Sequence, residues 1–164
     1  MPQDIANKVI QRAVQANMQL ATAESLTAGQ ISAALATVAG ASAVLRGGVV
    51  SYSSEVKHQL LGVSAELLQR KGSVDPEVAA AMARGAREVC GADLAVSATG
   101  VAGPSAHDGK SVGTVFIGWA TATQDGAIEH HFVGDREQIR ARATQMALQQ
   151  LLVILNQENS QQIS

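Results

Sequence analysis

Apolar residues recur every three or four positions in several stretches of the chain, the spacing that places them on one face of an α-helix. The first such stripe runs from Ile5 to Met18, and the last includes Leu148 and Leu155. Serine, aspartate, proline and glycine bound these stretches, as is typical of helix ends. The spacing predicts helices over 2–18, 27–38, 55–61, 65–70, 76–90 and 136–156.

Shorter apolar runs, rich in alanine and β-branched residues, predict strands over 20–23, 44–52, 93–99, 112–123 and 127–133. Gly47 and Gly48 predict a bulge or a close backbone approach at the start of the second strand. Residues 124–126 (QDG) predict the turn of a hairpin between the last two. Strands mixed with helices therefore predict an α/β fold, a three-layer α/β/α sandwich with a mixed, mostly parallel sheet of about five strands.

The 164 residues fit a single domain, 1–164, with the polar residues 157–164 as a frayed tail. Apolar residues make up 46% of the chain and aromatic residues only 2%, so the core is expected to consist of Ala, Val, Leu and Ile. The net charge of −2, without a dense basic run, argues against a nucleic-acid or membrane surface. We expect a cytoplasmic protein, because there is no signal peptide and no apolar run of roughly 20 residues. Cys90, the single cysteine, is interpreted as a small core residue.

Three polar turns, 24–29, 52–57 and 99–103, follow predicted strands. In open α/β sheets, ligands bind beyond the carboxyl ends of the strands, so the three turns are expected to converge on one site. In the first turn, Ser25 either caps the next helix or serves as a nucleophile. The free N–H groups of about Thr27 and Ala28 would then hold an anion or an oxyanion.

Lys57 is either an exposed helix lysine or the general base for a serine. A lysine accepts a proton only when neutral, so burial would have to lower its pKa from about 10.4 to roughly 7–8. The histidines offer no convincing Ser–His–Asp set. His130 and His131 point to opposite faces of a strand, so no metal site is expected. His107 lies in a loop, either solvated or in contact with a ligand.

Two features suit a phosphate group. Thr99 supplies a hydroxyl, and Gly100 and Gly103 allow close approach of the backbone, although a plain surface turn has the same composition. Arg136 and Arg140 lie one helical turn apart. Their shared face either binds a phosphate or a carboxylate or is solvated.

Five segments together resemble the CinA C-terminal domain family in order and spacing over nearly the whole chain. They are 23–29 (AESLTAG), 47–57 (GGVVSYSSEVK), 99–104 (TGVAGP), 112–115 (VGTV) and 134–136 (GDR). The resemblance implies an α/β/α sandwich and a homo-oligomer, here in a stand-alone form without the extra N-terminal domain of longer members. The family includes nicotinamide mononucleotide (NMN) deamidases, amidohydrolases of pyridine nucleotide salvage that release nicotinate mononucleotide and ammonia. No cofactor is expected.

The resemblance also implies roles for individual residues. It makes Ser25 the nucleophile and Lys57 the general base. It places the substrate-binding positions at Thr27, Ala28, Ser42, Tyr52, Thr99, Gly100 and Gly103. For the substrate-binding arginine it favours Arg140, with Arg136 as the second choice.

The chain departs from the usual family pattern at three positions. Leu26 replaces a cysteine, Ala28 replaces a glycine, and Ser111 replaces a proline. An alanine with positive φ would strain the first turn. The alternative function is therefore a weakly active or inactive paralogue that acts as a nucleotide-binding or regulatory module. An amidase for another substrate and an interaction protein are further alternatives.

Overall fold

A five-stranded sheet in the order β2-β1-β3-β4-β5 forms the centre of the molecule. The computed structural model describes residues 2–162, and the strands are β1 (Leu20–Glu24), β2 (Leu45–Val50), β3 (Leu94–Gly100), β4 (Thr114–Ala120) and β5 (Asp125–His131). β1 pairs in parallel with β2 and β3, whereas β4 pairs antiparallel with β3 and β5. The predicted mixed sheet and its hairpin are confirmed.

Helices cover both faces of this sheet. They are α1 (Pro2–Ala16), α2 (Gln30–Ala36), α3 (Ser54–Leu61), α4 (Ala65–Lys71), α5 (Pro76–Cys90) and α6 (Arg136–Gln162), with a 3₁₀ turn at Ala41–Ala43. α1, α2 and α6 pack on one face, and α3, α4 and α5 form the layer on the other. The predicted three-layer sandwich is confirmed. Within residues 2–162, no helix has the length and apolarity needed to cross a bilayer.

The two layers pack with different side chains. Leucine and isoleucine dominate the α1, α2 and α6 side, with Leu148 and Leu151 fully buried, whereas alanines dominate the α5 side. A Cβ on Gly118 of β4 would collide with the carbonyl group of Ala79 in α5. The small residues therefore allow α5 to lie directly against the sheet.

The bulge predicted in the second strand is present. The pairing between β1 and β2 passes from Leu45 directly to Gly47, so Arg46 is the extra residue. A Cβ on Gly48 would collide with the hydroxyl groups of Thr22 and Ser32. Both alternatives for the Gly47-Gly48 pair, a bulge and a close approach, therefore occur.

Several element boundaries differ from the prediction by two residues or more, and three of these differences have a clear physical reason. α2 begins at Gln30 instead of residue 27, because residues 25–29 form a separate turn. β5 begins at Asp125, since the hairpin turn closes earlier with the bond from Thr121 N–H to the Gln124 carbonyl (2.8 Å). α6 continues to Gln162, because its polar end contains good helix formers and no glycine or proline. Residues 163–164 of the predicted tail lie outside the described residues.

Candidate active site

The turns after β1, β2 and β3 meet at the carboxyl edge of the sheet. The N–H of Ser25 donates to the Ala98 carbonyl of β3 (2.9 Å), and the N–H of Ser51 donates to the Glu24 carbonyl of β1 (2.8 Å). These bonds continue the parallel pairing one residue beyond the strands. Ser25, which is almost completely buried, therefore lies between the turns that follow β2 and β3.

A buried carboxylate fixes the turn that carries Ser25. Glu24 accepts hydrogen bonds from the N–H groups of Gly29 (3.2 Å), Ile31 (2.8 Å) and Ser32 (3.0 Å), and from the Ser32 hydroxyl (2.9 Å). It thus satisfies the free amides at the start of α2, where a negative charge is favourable. The N-terminus of α2 is consequently occupied by the protein's own carboxylate.

Lys57 reaches Ser25 from the first half of α3. Ser53 caps this helix by accepting a hydrogen bond from the Val56 N–H (3.2 Å). The Nζ of Lys57 lies 2.9 Å from Ser25 Oγ, and the lysine is only 1% exposed. The proximity required for a Ser–Lys dyad is therefore present, and Lys57 is not an exposed helix lysine.

Two carbonyl groups complete the surroundings of the amine. Lys57 Nζ donates to the carbonyl oxygens of Ser51 (2.8 Å) and Tyr52 (3.1 Å). A neutral amine has two N–H groups and one lone pair. If the carbonyls accept the two N–H groups, the lone pair faces the hydroxyl proton of Ser25, which is the arrangement that a general base needs.

The environment favours the neutral form of this lysine. Burial lowers the pKa of Lys57 to about 8, and the nearby negative charge of Asp108 opposes this shift. A substantial fraction of Lys57 is therefore neutral slightly above neutral pH. Burial thus lowers the pKa of Lys57 to the upper end of the range that a general base requires.

A cavity of about 350 Å³ opens in front of Ser25. Its walls come from the β1 and β2 turns, the α4–α5 connection, the loop after β3 and the start of α6. The lining residues are Ser25, Leu26, Tyr52, Ser73, Thr99 to His107, and Arg136. Such a volume suits a small-molecule ligand. His107 lines the pocket with a side chain that is 64% exposed, so it is solvated and also within reach of a ligand.

The glycine-rich turn after β3 forms one wall of this pocket. A Cβ on Gly100 would lie 2.7 Å from the Thr114 carbonyl oxygen, so the close packing of the turn requires glycine there. Gly103 has a left-handed φ of +91°. The Thr99 hydroxyl donates to the Ser73 carbonyl (2.6 Å), which leaves its oxygen able to accept one further bond.

The two candidate arginines occupy different places. Arg136 lines the pocket, where its guanidinium donates to the carbonyl of Gly103 (2.6 Å) and to the hydroxyl of Tyr52 (2.9 Å). Arg140 lies one turn further along α6 and donates from Nε to the Leu26 carbonyl (2.8 Å), outside the pocket lining. The geometry thus favours Arg136, the second choice of the sequence analysis, over Arg140.

The expected oxyanion donors are only partly available. The N–H of Ala28 donates to the Ser25 carbonyl (3.1 Å), so the prediction that Ala28 serves as a donor is wrong. Among residues 2–162, no group accepts a hydrogen bond from the N–H groups of Leu26 and Thr27, which directly follow Ser25, and of the two residues only Leu26 lines the pocket. The Thr27 side chain is fully buried, and its hydroxyl has no partner in that part of the chain. Ala28 also has the positive φ of +48° that would strain the turn.

One predicted site residue lies far from Ser25 in this chain. Ser42 is in the 3₁₀ turn before β2, next to Ala43, whose carbonyl accepts a hydrogen bond from the Gln19 side chain (2.9 Å). Gln19 precedes β1, whereas Ser25 follows it. The length of β1 therefore separates Ser42 from the pocket. No cluster of metal-binding side chains occurs within the described residues.

Sequence reasoning missed two residues beside the pocket. Ser73, in the connection between α4 and α5, lines the pocket directly, and Asp108 binds Ser73 from the loop after β3. Neither residue belongs to a motif with a recognisable spacing. Only the contact between two distant loops shows their position.

Solved structures share this fold over nearly the whole chain. A CinA superfamily protein from Klebsiella pneumoniae 700603 matches with a TM-score of 0.92 and 32% identity, covering 96% of this chain and 99% of that one. A CinA superfamily protein from Escherichia coli matches with a TM-score of 0.90 and 35% identity, covering 93% and 89%.

Curated relatives agree at the level of sequence. A CinA-like protein of Geobacter sulfurreducens is 46% identical over 132 residues, which represent 80% of this chain and 32% of that protein. The chain spans about a third of the length of the other curated relatives it matches. The sequence model of the CinA C-terminal domain covers residues 2–155. The chain therefore belongs to the CinA C-terminal domain family.

Proposed function

We propose that this protein is an amidohydrolase that converts NMN and water to nicotinate mononucleotide and ammonia in pyridine nucleotide salvage. The observation that carries the proposal is the buried amine of Lys57, 2.9 Å from the hydroxyl of Ser25, which lines a ligand-sized pocket. A buried lysine beside a serine is the arrangement by which a hydroxyl is activated without histidine.

In the first half-reaction, Ser25 Oγ attacks the carboxamide carbon of the nicotinamide group. Neutral Lys57 takes the hydroxyl proton as the C–O bond forms. The free N–H group of Leu26, which lines the pocket, stabilises the negative charge on the carbonyl oxygen. Lys57 then returns the proton to the departing nitrogen, the C–N bond breaks, and ammonia leaves a nicotinoyl ester on Ser25.

In the second half-reaction, a water molecule attacks the ester carbon. Lys57 takes a proton from this water and gives it to Ser25 Oγ as the ester bond breaks. The acid product is released and the free serine is regenerated, so one water is consumed for each ammonia released. Lys57 acts as base and acid in both halves because its pKa of about 8 lies near the working pH.

The pocket also offers groups for the rest of the nucleotide. Arg136 supplies a positive charge at the pocket, and Gly100 and Gly103 bring backbone close to it. We assign the 5′-phosphate to this wall, opposite the reacting carboxamide. Arg136 would exchange its bonds to Tyr52 and Gly103 for the phosphate.

The decisive experiment measures ammonia and nicotinate mononucleotide from NMN. We expect turnover by the wild type and a loss of at least about 100-fold in Ser25→Ala and Lys57→Ala. The matched controls are Ser54→Ala and Lys71→Ala, exposed positions on α3 and α4 that should retain activity. During turnover, mass spectrometry should detect the nicotinoyl ester on Ser25.

Other outcomes would point to the alternatives. NMN binding without ammonia release by the wild type would favour a nucleotide-binding module, for which the strained Ala28 offers one cause. Loss of activity only in Lys57→Ala would make water the nucleophile. Neither binding nor turnover of NMN would contradict the proposed function.

A further inference from the structure

The loop after β3 is fixed to the opposite wall of the pocket through one carboxylate. Asp108 Oδ2 accepts hydrogen bonds from the Ser73 N–H (2.9 Å) and the Ser73 hydroxyl (2.8 Å). The same oxygen lies 3.3 Å from Nε2 of His107, which lines the pocket. Two donors of Ser73 thus converge on one oxygen, beside the His107 ring, that belongs to neither the nucleophile nor the base.

These contacts continue to the strand that borders Ser25. The Ser73 carbonyl accepts the Thr99 hydroxyl (2.6 Å), and Thr99 lies in β3 at the pocket. A continuous chain of hydrogen bonds therefore runs from Thr99 through Ser73 to Asp108. It connects the end of β3, the α4–α5 connection and the loop of residues 104–111.

A tight turn fixes the backbone that carries the Asp108 carboxylate. Asp108 and Gly109, with φ of +51° and +73°, are the two central residues of a turn in which the N–H groups of His107 and Lys110 donate to each other's carbonyl oxygens (3.2 and 2.9 Å). Aspartate followed by glycine is a common pair at these left-handed positions. A Cβ on Gly72 would lie 3.0 Å from Asp108 Cγ, so glycine is needed where the carboxylate approaches. The turn and the two hydrogen bonds from Ser73 together hold the carboxylate between the two loops.

We propose that Asp108 is a positioning residue that latches the 104–111 loop to Ser73, so that the loop forms a fixed wall of the pocket and holds the substrate against Ser25. The kinetic part of this inference rests on the proposed function. Asp108 touches no reacting atom in that mechanism, so its removal should weaken substrate binding more than it slows the chemical step.

The first test measures the latch without any substrate. Hydrogen–deuterium exchange of residues 104–111 is compared in the wild type, Asp108→Ala, Asp108→Asn and Ser73→Ala. We expect exchange to rise at least about tenfold in Asp108→Ala, since a bond to a charged acceptor is lost. Asn keeps one acceptor oxygen and should restore part of the protection, and Ser73→Ala, which keeps its N–H, should show an intermediate effect.

Asp93→Asn is the matched control. Its carboxylate also holds a backbone N–H, that of Gln19 (2.8 Å), but at the other end of the sheet. It should leave the exchange of residues 104–111 unchanged. Unchanged exchange in a folded Asp108→Ala variant, verified by its thermal melt, would overturn the latch. If that variant does not fold, Asp108→Asn and Ser73→Ala decide the question.

The second test separates binding from chemistry. It is performed above pH 9, where Lys57 is neutral in every variant, because loss of the negative charge can only lower its pKa further. For Asp108→Ala we expect KM for NMN to rise about tenfold with kcat within about threefold. A fall in kcat with KM unchanged would contradict a positioning role. If the wild type does not hydrolyse NMN, the proposed function fails while the exchange experiment still decides the latch.

Discussion

At the scale of the residue, the charge state of Lys57 dominates the chemistry. Its pKa is lowered to about 8 by burial, and only the neutral form accepts a proton from Ser25. We therefore predict that kcat/KM for NMN rises with pH and levels off above an apparent pKa near 8. Asp108→Asn should shift this rise to lower pH, because the carboxylate raises the pKa of Lys57. A profile that is flat between pH 6 and 9 would contradict the assignment of Lys57 as the base.

Protonation of Lys57 also makes the stability of the fold depend on pH. Between its folded pKa of about 8 and its unfolded value of about 10.5, the unfolded chain binds the extra proton. The free energy of unfolding therefore rises with pH across this window. Below the window, the burial of Lys57 lowers the free energy of unfolding by about 3 kcal/mol relative to its value above the window. Urea titrations at pH 7 and pH 10 should show a smaller pH dependence in Lys57→Met than in the wild type.

The strain at Ala28 gives a second prediction for a single residue. Its φ of +48° costs an alanine about 1–2 kcal/mol, while its methyl group is exposed and lies outside the pocket lining. Ala28→Gly should therefore raise the free energy of unfolding by up to about 1 kcal/mol, after the larger entropy of the unfolded glycine chain is subtracted. Ala33→Gly, an exposed position inside α2, is the control and should lower it by about 1 kcal/mol. Equal losses in both variants would show that residue 28 is not strained.

At the scale of the element, the start of α2 sets the position of Ser25. Glu24 accepts hydrogen bonds from three N–H groups and from the hydroxyl groups of Ser32 and Thr22, so Glu24→Gln, which replaces an acceptor oxygen by an NH₂ group, should destabilise the protein by about 2–3 kcal/mol. We expect kcat to fall as well, because the turn of Ser25 loses its anchor. Asp75→Ala removes the cap of α5 instead and should cost about 1 kcal/mol without a change in kcat. Denaturant melts and NMN turnover of both variants test this difference.

The caps also explain which elements could be predicted from the sequence. Ser53, Ser64 and Asp75 lie directly before their helices, and the starts of those helices agree with the prediction within a residue. The predicted start of α2 was wrong because the carboxylate that accepts its first N–H groups belongs to Glu24, six residues before the helix at the end of a strand, whereas Gly29, directly before the helix, has no side chain to cap it. Local spacing contains no information on such a bond.

The candidate site could likewise be predicted only where local sequence signals determine it. Periodicity places Ser25, Lys57 and Thr99 after strands or in the first turns of helices, so their convergence could be predicted. The 2.9 Å distance between Ser25 and Lys57 depends on how deeply α3 packs, which no motif records. The choice of Arg136 over Arg140 depends on the orientation of α6, and the contact of Ser73 with Asp108 depends on two loops 35 residues apart.

At the scale of the whole molecule, apolar side chains are exposed at both edges of the sheet. Val50, at the end of edge strand β2, is 51% exposed, and Ile128 in edge strand β5 is 41% exposed. Val133, just after β5, is 88% exposed. Edge strands with exposed apolar residues are sites where copies of a chain associate, so we predict a homo-oligomer.

Light scattering coupled to size-exclusion chromatography tests this prediction. A mass of at least twice 16.9 kDa is expected, and Val50→Lys and Val133→Lys identify the edge that associates. The edge at β2 is also functionally distinct, since Val50 lies two residues before Tyr52 at the pocket mouth. If Val50→Lys dissociates the oligomer and raises KM while Val133→Lys does neither, assembly and substrate binding share that edge. A monomer for the wild type at all protein concentrations would contradict the prediction and would leave the pocket complete within one chain.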